Sequence, residues 1–333
     1  MSLPLYHRKN KYVSYFYCLQ TYYTRRIVLI KKILRSLWLF ILTVGGFLLI
    51  VFFEIKNLPV GSSMGGLIMG LTTSPLWSSI VDFTDNTNWK TSQRKLERGK
   101  VINKNTEIRI SFAYLFRIKV EGKYFLIKNE RGTGKFQPVG GVYKLNDEEA
   151  RYLRQKFFSE DDNKISVDKS SKGDYRLRFK NQYLRKFIKR FDQTQNRENI
   201  EDLSREFKEE LFDKGILEQD GFGELNYTYC GRHMTELKYG EHFQCYELLL
   251  ADVLHVELTI EQEEKFKDLM NKESDKYIFA SDKEIKSLGV KVGSDDLIEK
   301  IGDHTKKILM ENESDLIQPR GSYKIGEKYT CQI

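Results

Sequence analysis

Three glutamates are the first residues in this chain whose type and spacing could do chemistry. Glu206, Glu209 and Glu210 lie within residues 200–211, a stretch with helical apolar spacing. At about 100° per residue they fall within roughly 100° of one another on a helix surface. Like charges so placed repel unless a cation sits between them, and their hard oxygen ligands suit Mg2+ or Mn2+. A solvated face of glutamates has the same spacing, so the surrounding elements must separate the two readings.

Those elements are legible from periodicity. Ile200, Leu203, Phe207 and Leu211 form the apolar stripe of the glutamate helix. Residues 181–191 form a second helix, with Tyr183, Leu184, Phe187, Ile188 and Phe191 on one stripe and Arg185, Lys186, Lys189 and Arg190 opposite. Residues 108–120 and 123–129 are rich in β-branched and aromatic side chains, and Glu121-Gly122 between them predicts a hairpin. Gly140-Gly141 would let the backbone turn tightly or approach a ligand.

Arg205-Glu206-Phe207-Lys208-Glu209-Glu210 matches the R-E-U-x-E-E core of the Nudix box, where U is a bulky apolar residue. Phe136-Gln137-Pro138-Val139-Gly140-Gly141 resembles the approach to that box. Residues 242–252 and 276–285 resemble a later core strand and the short aromatic and acidic element that follows it in Nudix domains. The resemblance spans about residues 108–290. It implies an α+β fold class, a Nudix-like α/β/α domain with a mixed sheet between helices. It also implies that Glu209 and Glu210 bind a divalent metal, Mg, with Glu206 as ligand or as the catalytic base that activates water against a diphosphate. Arg205 would brace the loop by an ion pair, and Gly140 and Gly141 would shape it.

The sequence departs from that pattern in three places. Gly141 and Arg205 lie 64 positions apart, about fifty more than the family spaces them, so residues 142–199 read as an insertion. Arg197 stands where the pattern has its upstream glutamate, and Glu198 is one position off. After Glu210 come Leu211, Phe212 and Asp213, and Gly215 arrives three positions late. The interrupted box argues against catalysis, while the retained glutamates argue against complete decay.

Two further constellations are worth weighing. Cys230-x-x-His233 and His242-x-x-Cys245 have the spacing of paired zinc ligands, but they flank what reads as a loop between strands. The cationic helix carries Arg185, Lys186, Lys189, Arg190 and Tyr183, which suit the phosphates and bases of a nucleotide. A solvated face, or one lying against anionic lipid, is the alternative.

Charge and hydropathy place these elements in a membrane context. The chain has 333 residues, 55 Lys plus Arg, 47 Asp plus Glu and a net charge of +8. Arg8, Lys9, Lys11, Arg25, Arg26, Lys31, Lys32 and Arg35 precede the first acid and account for the whole surplus. The body is therefore neutral, which argues against a DNA or RNA duplex as partner. Four scattered cysteines exclude a disulfide scaffold and fit a reducing compartment. The mean hydropathy of −0.51 hides two stretches without charge, from Ser36 to Phe53 and from Asn57 to Val81.

The first stretch is long and apolar enough to span a bilayer, and the second would span by packing on it. Gly61 and Gly65, then Gly66 and Gly70, fall on or near one face of the second helix. Basic residues flank both ends of the pair, so both termini are expected in the cytoplasm. The alternative is a buried apolar hairpin of a soluble protein.

The expected organisation is a basic Tyr-rich arm (1–35), a two-helix transmembrane hairpin (36–56 and 57–81), a basic linker (82–107), the Nudix-like domain (108–312) and a C-terminal tail (313–333). This architecture resembles the SMODS-associated Nudix family, two-transmembrane effectors of the bacterial cyclic-oligonucleotide anti-phage system CBASS. The resemblance implies that the soluble domain senses a cyclic oligonucleotide second messenger. Hairpins of a homo-oligomer would then assemble and disrupt the lipid bilayer of the inner membrane. A membrane-anchored Mg-dependent Nudix hydrolase of nucleoside diphosphate derivatives is the alternative, and a membrane-tethered adaptor without ligand is a third reading.

Overall fold

The structure, a computed structural model, describes residues 33–84, 88–129, 133–162, 172–290, 300–321 and 323–333. Most of the basic arm, residues 1–32, lies outside the described residues. The chain divides into two compact units, residues 1–87 and 88–333.

In the first unit, helix α1 (Ile33–Ile55) is 23 residues long with a mean hydropathy of 2.5 over its most apolar window. It is the one helix among the described residues long and apolar enough to cross a membrane by length and composition. Helix α2 (Pro59–Thr84) has 26 residues, and its Ser, Thr and Gly content keeps it below that level. The two helices touch. A Cβ on Gly65 would lie 2.7 Å from the Gly46 carbonyl oxygen, and the Thr43 hydroxyl donates to Thr72 Oγ1 at 2.8 Å. Gly61 lies under the Phe53 ring, whereas a Cβ on Gly66 or Gly70 would meet nothing. The four glycines therefore do not share one packed face, because one residue further along a helix turns the side chain by about 100°.

The second unit is built on two sheets. β1 (Glu107–Arg117) lies at the centre of the larger one, whose path runs β12-β8-β10-β1-β7-β6. It pairs in parallel with β10 (Cys245–Val256) and antiparallel with β7 (Arg176–Lys180) and β5 (Gly140–Val142), so the sheet is mixed. β8 (Glu224–Met234) and β12 (Lys328–Gln332) continue it beyond β10. β9 (Lys238–Gly240) pairs with β10 and β6 (Glu160–Asp161) with β7. The predicted hairpin forms between β2 (Lys119–Val120) and β3 (Lys123–Lys128), with Glu121 and Gly122 at φ 47° and 83°. It belongs to the smaller sheet with β4 (Phe136–Gln137) and β11 (Tyr277–Ala280), because the chain changes sheets after Arg117.

Strand alternation divides the core. Ile108, Ile110, Phe112, Tyr114 and Phe116 of β1 face one apolar cluster, while Leu115 faces a second with Ala251, Val253 and Ile308. The segment 142–199 is part of this architecture, since it supplies β7 next to β1 and helices α4 (Asp147–Phe157) and α5 (Leu184–Gln193). Phe187 and Phe191 of α5 pack on Phe112 with ring centroids at 6.1 and 4.6 Å.

The segment expected as a basic linker also contains packed structure. Helix α3 (Asn88–Arg98) buries Trp89 and Gln93, and Gln93 Nε2 donates to Asn181 Oδ1 at 2.7 Å. The C-terminal residues add β12, and Arg117 reaches across to Glu313.

Candidate functional site

The glutamate helix starts later than its apolar spacing predicts. Ile200 and Leu203 precede it, α6 covers Ser204–Phe207, and the turn Lys208–Phe212 is π-helical. Asp202 sets the start, its Oδ1 accepting from the Ser204 amide at 3.3 Å and hydroxyl at 2.7 Å. The Asp213 amide reaches back to the Lys208 carbonyl at 3.1 Å. A π turn holds one more residue than an α turn, which accounts for part of the late arrival of Gly215. Phe207 and Leu211 are fully buried, and Phe207 meets Phe116 edge to face at 5.7 Å, so the helix is fixed on the sheet.

β5 brings the backbone onto two of the carboxylates. The Gly140 amide donates to Glu210 Oε2 at 3.0 Å. Gly140 has φ 150°, and a Cβ there would lie 2.2 Å from the Tyr114 carbonyl oxygen. A Cβ on Gly141 would lie 2.0 Å from Glu206 Oε1. Gly140 therefore requires glycine on steric grounds, whereas a side chain at Gly141 would push the Glu206 carboxylate aside.

Arg205 organises the acids. Its Nε and Nη2 donate to the two oxygens of Glu198 at 3.0 and 3.2 Å, Nη2 also to the Val142 carbonyl at 3.1 Å, and Nη1 to Glu206 Oε1 at 2.5 Å. Glu209 Oε2 lies 3.6 Å from the same Nη1. Glu198 is held further by the Tyr114 hydroxyl and the Lys144 amide, both at 3.1 Å. Glu198 is the residue that motif register misses. Its one signal in the sequence is a glutamate a single position away from the expected place.

Protonation follows from this packing. Burial pushes the Glu210 carboxyl up to about 8, with Glu206 and Glu209 adding and the Gly140 amide and Lys214 opposing. Burial also raises Glu206, with Arg205 opposing and Glu209 and Glu198 adding. Burial works against the charge of Arg205, yet Tyr114, Glu198 and Glu206 outweigh it and hold the guanidinium above its usual range.

The donor set has the hard-oxygen chemistry of a Mg2+ site, but its arrangement does not fit one. Glu206 is ion-paired with Arg205, Glu209 leans on the same guanidinium, and Glu210 is turned to the Gly140 amide. Among the described residues no three His, Cys, Asp or Glu side chains gather closely enough to hold an ion. A cation would first have to displace Arg205 from Glu206.

The other nominated residues are placed as follows. On α5, Arg185, Lys186 and Lys189 are exposed, and Arg185 Nε donates to Gln93 Oε1 at 2.9 Å. Arg190 is engaged internally. Its Nε and Nη2 bind the fully buried Glu149 at 3.0 and 2.5 Å, and its guanidinium lies 4.2 Å from the Tyr152 ring. Tyr183 packs against Phe157 at 5.9 Å. The nominated zinc quartet is split. His233 pairs with Ala251 in the sheet, while Cys245 pairs with Gly240 six residues back along β10, about 20 Å away at strand rise.

A family model described as SMODS-associated NUDIX domain matches residues 107–309. Neither a curated protein nor a solved structure matches the chain.

Proposed function

The chain belongs to the SMODS-associated NUDIX domain family, and on that premise we propose that it is a membrane effector of CBASS anti-phage defence. In this reading the Nudix-like domain senses a cyclic oligonucleotide, and a ligand preference for an assembled state drives membrane helices of several copies together. The observation that carries it is the presence in one chain of an apolar 23-residue helix and of a glutamate helix in which Arg205 holds Glu206 and leans on Glu209 while Glu210 is turned to the Gly140 amide. A hydrolase needs those acids free, whereas a ligand-sensing domain does not. On this reading α2 spans the membrane beside α1, which leaves both termini in the cytoplasm. The exposed Arg185, Lys186 and Lys189 on α5 are the first candidate contacts for the ligand.

The test is dye release from liposomes carrying the full chain. At least one cyclic di- or trinucleotide should cause release, and its linear counterpart should not. No release with any of them would sink the proposal.

A second reading, a Mg-dependent hydrolase of nucleoside diphosphate derivatives, is favoured by the crowding of Glu206, Glu209 and Glu210 that helps raise the Glu210 carboxyl. It requires Arg205 to release Glu206. Mg2+-dependent hydrolysis lost in Glu209→Gln would establish it.

A further inference from the structure

The main sheet ends in two different edges. Its path starts at β12 and finishes at β6. β6 is two residues long, both acidic, and its Asp161 pairs with Arg154 at 3.2 Å. Short, charged strands of this kind resist pairing with another chain. β12 has five residues, Lys-Tyr-Thr-Cys-Gln, with no proline and an unbroken register against β8.

The phase of that register decides what β12 shows to the outside. The Tyr229 amide of β8 donates to the Glu327 carbonyl at 2.9 Å, just before the strand. Two-residue steps from that bond reach Tyr227 with Tyr329 and Leu225 with Cys331. In an antiparallel ladder, the residues between hydrogen-bonded pairs turn their N–H and C=O away from the partner strand. Lys328, Thr330 and Gln332 therefore hold an outward row of donors and acceptors, and no backbone group meets it among the described residues. All three residues are exposed. The side chains that could shield the row lean back over the sheet instead. Lys328 Nζ donates to Glu257 Oε2 at 2.7 Å, Thr330 Oγ1 to Asn226 Oδ1 at 2.7 Å and Gln332 Nε2 to Glu224 Oε1 at 2.5 Å.

We propose that this edge pairs with β12 of a second copy, antiparallel about a two-fold axis at Thr330, so that the main sheet continues across both. The occupant follows from self-complementarity. Centred on Thr330, the pairing sets Lys328 against Gln332 and Thr330 against itself, and no like charges on β12 oppose one another. A register centred on Lys328 would bring two lysines face to face. The interface needs no ligand, so its fate and that of the effector reading are told apart by testing it without one.

Sedimentation equilibrium of the full chain in detergent, with no nucleotide present, should give a dimer. Thr330→Pro removes only an outward amide, so it should keep the fold and weaken dimerisation by about tenfold. Thr330→Lys sets two lysines across the axis and should weaken it likewise, which serves where the proline variant does not fold. Thr330→Cys puts two thiols opposite one another with about 5.5 Å between Cα atoms, so mild oxidation should link the copies. Glu160→Cys on β6 should not link them. A monomer in detergent, a dimer equally strong in both Thr330 variants, no linking from Thr330→Cys, or equal linking from the two cysteine positions overturns the proposal.

Discussion

Both carboxylate oxygens of Glu198 accept from Arg205, at 3.0 and 3.2 Å, although Glu198 stands one residue away from the place that the family spacing gives its glutamate. The inserted segment delivers the acid from a different register to the same guanidinium. The bidentate fork depends on arginine, since lysine is a point charge. Arg205→Lys should therefore destabilise the second unit by about 1–3 kcal/mol. Thermal unfolding followed by tryptophan fluorescence would check this, and an unchanged midpoint would refute it.

A deeper pair should be more sensitive. Arg232 and Asp252 are fully buried and joined at 2.8 and 3.0 Å, and Asp252 also accepts from Tyr143 at 2.7 Å and Tyr229 at 2.8 Å. Removing Asp252 takes the bidentate partner from the buried guanidinium, leaving Asp192 to pair it, and leaves the Tyr143 and Tyr229 hydroxyls without their acceptor. Asp252→Ala should cost about 3–5 kcal/mol, read from denaturant midpoints of the full chain in detergent.

The Glu210 carboxyl gives a pH prediction. Its folded value of about 8 lies above its ordinary 4.5, so the folded state holds the proton more tightly. That contribution is fully present below about pH 4.5 and is lost as pH rises through about 8. Glu210→Gln cannot lose a proton and should be more stable than the parent above pH 8, with little difference near pH 4.5. Parallel melting curves across this range would decide, and an unchanged pH slope would count against the buried carboxyl.

The helix contact of the first unit can be tested by cross-linking. Thr43→Cys with Thr72→Cys places two thiols where the hydroxyls lie 2.8 Å apart, so oxidation should join them. Gly65→Val should abolish that disulfide, because its Cβ would meet the Gly46 carbonyl oxygen at 2.7 Å. Gly66→Val meets open space and should preserve it. Equal cross-linking in both glycine variants would exclude this packing.

Local features of the chain were legible in the sequence. The apolar length of α1, the Glu121-Gly122 turn, the stripe of α5 and the three glutamates all rest on dihedral preference or residue period, which neighbouring residues set. Partner choice was not legible. Arg190 looked like a ligand contact until Glu149, 41 residues earlier, proved to hold it. The segment 142–199 looked like an interruption but supplies β7 beside the central strand. The Cys and His spaced like zinc ligands were weighed against a loop between strands, and strand register sets His233 and Cys245 six residues apart along β10. Spacing along the chain specifies which residues share a face of one element. Only packing between elements decides which charge is neutralised and which is left for a ligand, because desolvation and Coulomb energy depend on distance in space.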